Sequence, residues 1–210
     1  MADSKPKTPS SLGILQFQTR VKGGVRPNLF EVTHEFPAGI EGIKKDMVSV
    51  MCKSAALPAS TVGTVELPFR GRVLKVPGDR TFESWTATFY MDDAFALRGA
   101  YEKWIDLTNR VDANRSDAPL SAETGGTLQD INILQLDKFG SGAGSSGLAN
   151  IREYKLVSAF PVSVSQISLA YDNNDSYEEF DVEFAYQFFT TNGGSNQNLL
   201  KRATSDGPAS

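Results

Sequence analysis

Apolar and polar residues alternate along much of this 210-residue chain with a period of two, the repeat of a strand that buries one face. From Phe180 onward, Phe180, Val182, Phe184, Tyr186 and Phe188 alternate with Asp181, Glu183 and Gln187, which predicts a strand over Glu179–Phe189. The same reading, punctuated by Pro and Gly, predicts strands over Asn28–Val32, Met47–Cys52, Val62–Phe69, Gly71–Val76, Trp85–Tyr90, Leu128–Leu136, Arg152–Ala159 and Ser165–Tyr171. Asp172, Asn173, Asn174 and Asp175 tolerate turn geometry and join Ser165–Tyr171 to Glu179–Phe189 as a hairpin.

One segment follows the helical repeat instead. Leu97, Tyr101, Trp104, Ile105 and Thr108 fall on one face at 3.6-residue spacing, with Arg98, Glu102 and Lys103 elsewhere, and Asp92 or Asp93 is placed to cap the first turn. A helix from about residue 93 to 110 follows, its apolar stripe expected to pack in the core or a subunit interface. A single helix beside nine strands predicts a mainly β fold, a sandwich or barrel with one flanking helix. The β domain is expected over residues 14–190. Residues 1–13 and 191–210, poor in large apolar side chains and rich in Ser, Gly, Asn, Pro and Lys, have the composition of mobile arms. No segment repeats at a fixed period.

Composition adds few constraints. A hydrophobic content of 40% suits a globular core, and 18 Gly with 10 Pro favour turns over long helices. Cys52 is the single cysteine, which excludes an internal disulfide and a thiolate cluster for zinc and suits a reducing compartment. No stretch approaches the roughly 20 apolar residues of a membrane helix, and Met1–Ser11 lacks the apolar centre of a signal peptide, so neither membrane insertion nor export is expected.

Charge changes the picture more. Tyr171–Thr190 holds Asp172, Asp175, Glu178, Glu179, Asp181 and Glu183 with no Lys or Arg, so its charge of −6 exceeds the −4 of the whole chain. Affinity for nucleic acid comes largely from Lys and Arg displacing counterions, so an acidic strip repels a phosphate backbone. It suits a wall past which DNA slides. Arg20, Lys22 and Arg26 are three cations without interleaved aromatics, the pattern of a solvated edge. A single-strand binding module would need a basic groove with stacking aromatics, whereas the aromatic-rich strand here is acidic.

The candidates for chemistry each have a plain alternative. His34, the only histidine, is the base that any Ser/His/Asp or Cys/His arrangement would need, and nothing near it in sequence supports that role. Asp181 and Glu183 lie roughly 7 Å apart on one strand face, near the spacing of inverting glycosidases. Those enzymes draw their carboxylates from facing elements across a cleft. Gly142, Gly144 and Gly147 satisfy G-x-G-x-x-G, but a strand follows where a dinucleotide fold needs a helix, so residues 140–147 read as a flexible Gly/Ser loop. No catalytic residue, metal ligand or cofactor site is expected.

Three motifs carry a family resemblance: Arg26-Pro27-Asn28-Leu29-Phe30, Cys52-Lys53-Ser54-Ala55-Ala56-Leu57-Pro58, and Gly78-Asp79-Arg80-Thr81-Phe82 followed by Trp85 and Thr86. In order and spacing they resemble the tail tube protein of contractile-tailed bacteriophages. Phe160-Pro161 through Val164, Ser168–Asp172 and Phe180–Tyr186 are similar to the closing strands of that family. The resemblance covers roughly Arg26–Phe189 apart from longer inserts at about 33–45 and 115–146. It implies a structural virion protein with no active site and a β-barrel or sandwich of the Hcp-like type with one flanking helix. Copies would associate as hexameric rings stacked into a tube through which DNA is ejected when the sheath contracts. The partners implied are further copies of the chain, the sheath protein, the baseplate hub or tube initiator, a tape-measure protein and a tail terminator, with assembly in the host cytoplasm. The related alternative is the tube of a phage-derived contractile injection or type VI-like secretion system.

On that reading Glu179, Asp181 and Glu183 are expected to face the lumen. Leu57–Phe82, dense in Pro and Gly, is expected to reach a neighbouring ring, with Arg70, Arg72, Lys75 and Arg80 pairing with its carboxylates. Asp79 is expected to brace a turn beside Arg80 and Thr81. The alternative for this segment is a solvated hairpin.

Overall fold

The computed structural model describes residues 25–116, 118–120, 126–141, 148–172 and 176–192. In chain order the elements are β1 (Phe30–His34), α1 (Lys45–Met51), β2 (Cys52–Ala55), β3 (Ser60–Phe69), β4 (Arg72–Phe82), β5 (Trp85–Tyr90), α2 (Ala96–Thr108), β6 (Gln129–Ser141), β7 (Leu148–Val164), β8 (Glu179–Ala185) and β9 (Phe188–Asn192). The architecture is mainly β, as the alternation predicts.

The antiparallel strands run in the order β1-β6-β7-β8-β5-β2, with β9 also on β7, while β3 and β4 form a separate two-stranded sheet. β7 belongs to two layers. Its Leu148–Ala159 part pairs with β6 and, over Glu153–Val157, with β9; its Phe160–Val164 part pairs with β8. The strand turns the corner at Ser158, a non-glycine residue at φ 54°, whose N–H donates to Asp130 Oδ1 at 3.0 Å. One sheet is therefore β1, β6, β9 and the first part of β7, and the other is the end of β7 with β8, β5 and β2.

Alternate residues of both sheets meet in one core. Val32 and His34 of β1, Ile131 and Ile133 of β6 and Leu156 of β7 face Trp85, Ala87 and Phe89 of β5 and Phe180, Val182 and Phe184 of β8. Helix α2 adds Leu97, Ala100, Tyr101 and Trp104. The Phe184 ring lies 5.6 to 6.2 Å from the rings of Trp85, His34, Tyr101 and Trp104, so it ties both sheets to the helix. The start of α2 is held by Asp92, whose carboxylate accepts the N–H groups of Ala96 at 2.9 Å and Leu97 at 3.2 Å. The expected stripe is thus mostly core: Leu97, Tyr101 and Trp104 are buried, with Ile105 and Thr108 half-buried.

Three sequence expectations are corrected. Met47–Cys52 is not a strand: α1 takes residues 45–51, and the strand begins at Cys52. The side chains decide it, because Val48 is fully buried while Val50, which a strand would place on the same face, is 80% exposed. Helical spacing instead brings Met47, Val48 and Met51 to the core together. A second helix therefore joins the one expected.

Ser165–Tyr171 is not a strand either. β8 pairs with the end of β7 and with β5, and beyond Ser165 the chain leaves the sheet with Leu169 and Tyr171 exposed. Ser165 closes the ladder, donating its N–H to Asp181 O and accepting the Asp181 N–H on its hydroxyl, each at 2.8 Å. The proposed turn residues 173–175 lie outside the described residues. Finally, Glu179–Phe189 is two strands, because the chain breaks at Tyr186–Gln187 to follow the corner in β7. Phe180, Val182 and Phe184 are buried as the pattern requires, but the register changes after them and leaves Phe188 exposed and Phe189 packed on the core.

Candidate assembly surfaces

β8 pairs with β5 so that Glu179 stands opposite Tyr90, Asp181 opposite Thr88 and Glu183 opposite Thr86. Since Phe180, Val182 and Phe184 take the inner face, the three carboxylates share the outer face. They are not bare. Lys53 of β2 donates to both oxygens of Glu179 at 2.5 Å, and this hydrogen bond raises the Lys53 pKa above its ordinary value. The Thr88 hydroxyl donates to Asp181 at 2.7 Å, and Ser84 and Ser163 donate to Glu183. The face is an anionic strip fixed by hydroxyls, with a lysine at one end.

The other prominent surface is the β3–β4 hairpin. Arg70 and Gly71 form its two-residue turn with φ of 46° and 80°, the positive pair that matches the twist of a tight hairpin. The register sets Val65 opposite Val76, Leu67 opposite Leu74 and Phe69 opposite Arg72, so one face is apolar almost to the tip. Glu66 and Lys75 lie opposite one another on the other face and pair at 3.5 Å. The apolar face is uncovered, with Phe69 67% and Leu74 60% exposed. An isolated two-stranded hairpin is marginal in water, and an apolar face of this kind marks an interaction site.

The base of the hairpin is anchored. Arg80 donates to Ser60 Oγ at 3.1 Å and lies over the Phe82 ring, while the Trp85 indole N–H donates to Ala56 O. Asp79 sits where the register shifts, its backbone carbonyl beside Gly63. A Cβ on Gly78 would lie 3.2 Å from the backbone of Gly63, so the two glycines allow this close approach. Of the residues expected to bridge subunits, Arg70 and Arg72 are at the exposed tip, Lys75 has an intramolecular partner and Arg80 braces the base. The apolar face was missed in the sequence although Val65, Leu67, Phe69 and Leu74, Val76 alternate plainly.

His34 is a core residue. Its Nδ1–H donates to Glu35 O at 3.0 Å, and Nε2 accepts the Tyr101 hydroxyl at 2.8 Å, an arrangement that the neutral ring satisfies. Burial lowers its pKa to about 4. Burial likewise pushes the Cys52 thiol up to about 12, which keeps it protonated and poorly nucleophilic. Asp181 and Glu183 stand on an open sheet face rather than across a cleft. Among the described residues, no group of three or more His, Cys, Asp or Glu is arranged to hold a metal, and no helix is long and apolar enough to cross a membrane. Arg26 is exposed, whereas Arg20, Lys22 and Gly142, Gly144 and Gly147 lie outside the described residues.

A two-layer β fold flanked by two short helices, whose prominent features are surfaces, has the form of a structural subunit. Residues 25–192 match the phage tail tube protein family, and the chain belongs to that family. Its members are structural components of the virion tail, not enzymes. The chain is 24% identical over 164 residues to tail tube protein gp19 of Enterobacteria phage T4, covering 78% of this chain and 90% of that protein. It is 27% identical over 169 residues to the tail tube protein of Serratia phage KSP90, covering 78% and 87%. The fold also resembles a chain of the anti-feeding prophage baseplate, with a TM-score of 0.54 at 14% identity, covering 79% of this chain and 93% of that one. A chain of the PVC contractile injection system sheath/tube terminator gives 0.54 at 15% identity, covering 80% and 96%.

Proposed function

We propose that this chain builds the inner tube of a contractile phage tail, as hexameric rings stacked into a conduit for DNA ejection. The observation that carries the reading is the uncovered apolar face of the β3–β4 hairpin. A sheet of two strands does not hold such a face in water, and a repeating neighbour supplies the missing layer at every subunit. Apolar burial, rather than pairing of the basic group, drives the contact between rings. Arg70 and Arg72 at the tip then steer it.

The anionic strip of Glu179, Asp181 and Glu183 faces the lumen on this reading. Its carboxylates are held in place by Thr88, Ser84 and Ser163, so the wall presents fixed negative charge to passing DNA and offers no basic groove. The partners are further copies of the chain, a sheath protein outside the tube, a baseplate hub at one end, a terminator at the other and a tape-measure protein inside before ejection. Sequence likeness to phage tail tube proteins favours a phage tail over a phage-derived injection system.

Negative-stain electron microscopy of the purified chain at rising concentration, with light scattering in parallel, tests the proposal. Six-fold rings or hollow tubes are expected. Monomers at every concentration, with or without a baseplate to nucleate growth, would end it.

A further inference from the structure

The β3–β4 hairpin leaves the body at one end of the β5–β8 pair. Trp85 and Phe184 are partners at that end, the Phe82 ring at the close of β4 lies 6.1 Å from the Tyr186 ring, and the Trp85 indole donates to Ala56 O shortly before β3. The other end of the same pair is Tyr90 opposite Glu179, where the Met91 N–H donates to Glu178 O at 2.9 Å. There the chain outside the sheet borders an open groove of about 550 Å³, lined by Ile167, Leu169 and Tyr171 on the outgoing arm and by Tyr177 and Glu178 on the returning arm. Leu169 is 78% and Tyr177 85% exposed. Two uncovered apolar surfaces thus stand at opposite ends of one strand pair.

The two surfaces match in charge and in reach. The hairpin joins its apolar face of Leu67, Phe69 and Leu74 to the cations Arg70 and Arg72 at the tip. The groove joins its apolar walls to Glu178, with Asp172 next to Tyr171, and among the described residues no Lys or Arg lines it. Guanidinium groups also pack favourably on tyrosine faces. β3 has ten residues and reaches roughly 33 Å, whereas the six residues of β5 span roughly 20 Å, so the hairpin outreaches the strand it precedes. The groove of its own subunit lies at the far end of that strand, and the apolar face stays uncovered within the subunit, which favours a second copy of the chain as the partner.

We infer that the hairpin of one copy docks in the groove beside Tyr90 and Glu179 of the next, Phe69 and Leu74 entering against Leu169 and Tyr177 while Arg70 and Arg72 meet Asp172 and Glu178. The two surfaces differ, so the contact is heterologous and repeats along an axis without closing on itself. The resulting stack is polar: one end presents hairpins and the other empty grooves. This deepens the tube proposal and rests on its reading of the hairpin as the contact between rings, to which it adds the receiving surface.

Complementation between two full-length variants tests the docking. Leu169→Asp with Tyr177→Asp spoils the groove and keeps the hairpin, and Leu67→Asp with Leu74→Asp does the reverse; all four side chains are exposed, so each variant is expected to keep the circular dichroism of the parent chain. Neither is expected to stack alone. Prepared separately and then mixed, they are expected to join in twos and stop, because one intact hairpin face then meets one intact groove face, so sedimentation velocity reads a doubled particle mass and electron microscopy finds no longer stacks. As a second readout, Asp172→Lys with Glu178→Lys is expected to slow stacking of the otherwise unaltered chain on the order of tenfold at low salt, and adding Arg70→Glu with Arg72→Glu to restore it. A mixture that keeps the masses of its separate variants, or charge reversal without restoration, would overturn the proposal. Tubes from the groove variant but none from the hairpin variant would remove the groove and leave the hairpin as the contact, whereas tubes from both, or a parent chain that never associates, would remove the hairpin reading as well.

Discussion

Among the described residues, no charged group pairs with the His34 imidazole: Tyr101 and the Glu35 carbonyl satisfy it as a neutral ring, and Phe36, Trp104 and Phe184 pack against it. Its folded pKa of about 4 lies below the ordinary 6.5, so between those values the unfolded chain binds more protons than the folded one. The contribution of His34 is fully present above pH 6.5 and is lost as the pH falls toward 4, up to about 3 kcal/mol in all. Urea unfolding of the dissociated subunit at pH 7 and pH 4.5 should therefore show a clear loss that His34→Gln reduces. The same loss in both proteins would assign the pH dependence elsewhere. Nothing around His34 in the sequence signals this role, because its main partner, Tyr101, is on a helix far along the chain.

At the scale of elements, the proposed hairpin contact predicts that assembly can be lost without loss of folding. Leu67 and Leu74 are cross-strand neighbours on an exposed face, so Leu67→Asp with Leu74→Asp should leave the subunit folded and abolish rings or tubes, read by circular dichroism and electron microscopy. Glu66→Ala with Lys75→Ala removes an exposed ion pair worth roughly 0.2–1 kcal/mol and should leave assembly nearly intact. Arg80→Ala loosens the base and should weaken assembly more than folding. Tubes from the double aspartate variant would show that another surface carries the contact. The helix α2 and strand β5 were legible in sequence because each has an unbroken apolar period and marked ends. Helix α1 was not. It spans two turns, and Val48 and Val50 mimic strand alternation until tertiary packing chooses between them.

For the whole molecule, the acidic face makes the sharpest claim. Replacing Asp181 and Glu183 with Lys in assembled tubes should slow or block DNA ejection and create salt-sensitive DNA binding, measured by ejection assays and by retention of DNA at rising salt. Unchanged ejection, or a map placing these side chains against the sheath, would remove them from the lumen. The mainly β class, the acidic strip and its inner Phe180, Val182 and Phe184 were all readable from alternation. The sandwich was expected as well, but the passage of one strand through both sheets was not, because it depends on a corner at Ser158 held by Asp130, a non-glycine residue at positive φ for which local sequence gives no cue.

That corner also has a mechanical meaning. Because β7 runs unbroken through both sheets, neither layer can slide or peel away without straightening a strand that the other layer grips along its length. A load applied to one sheet is carried as tension along β7 into the other, so the subunit should yield to pulling as one unit rather than layer by layer.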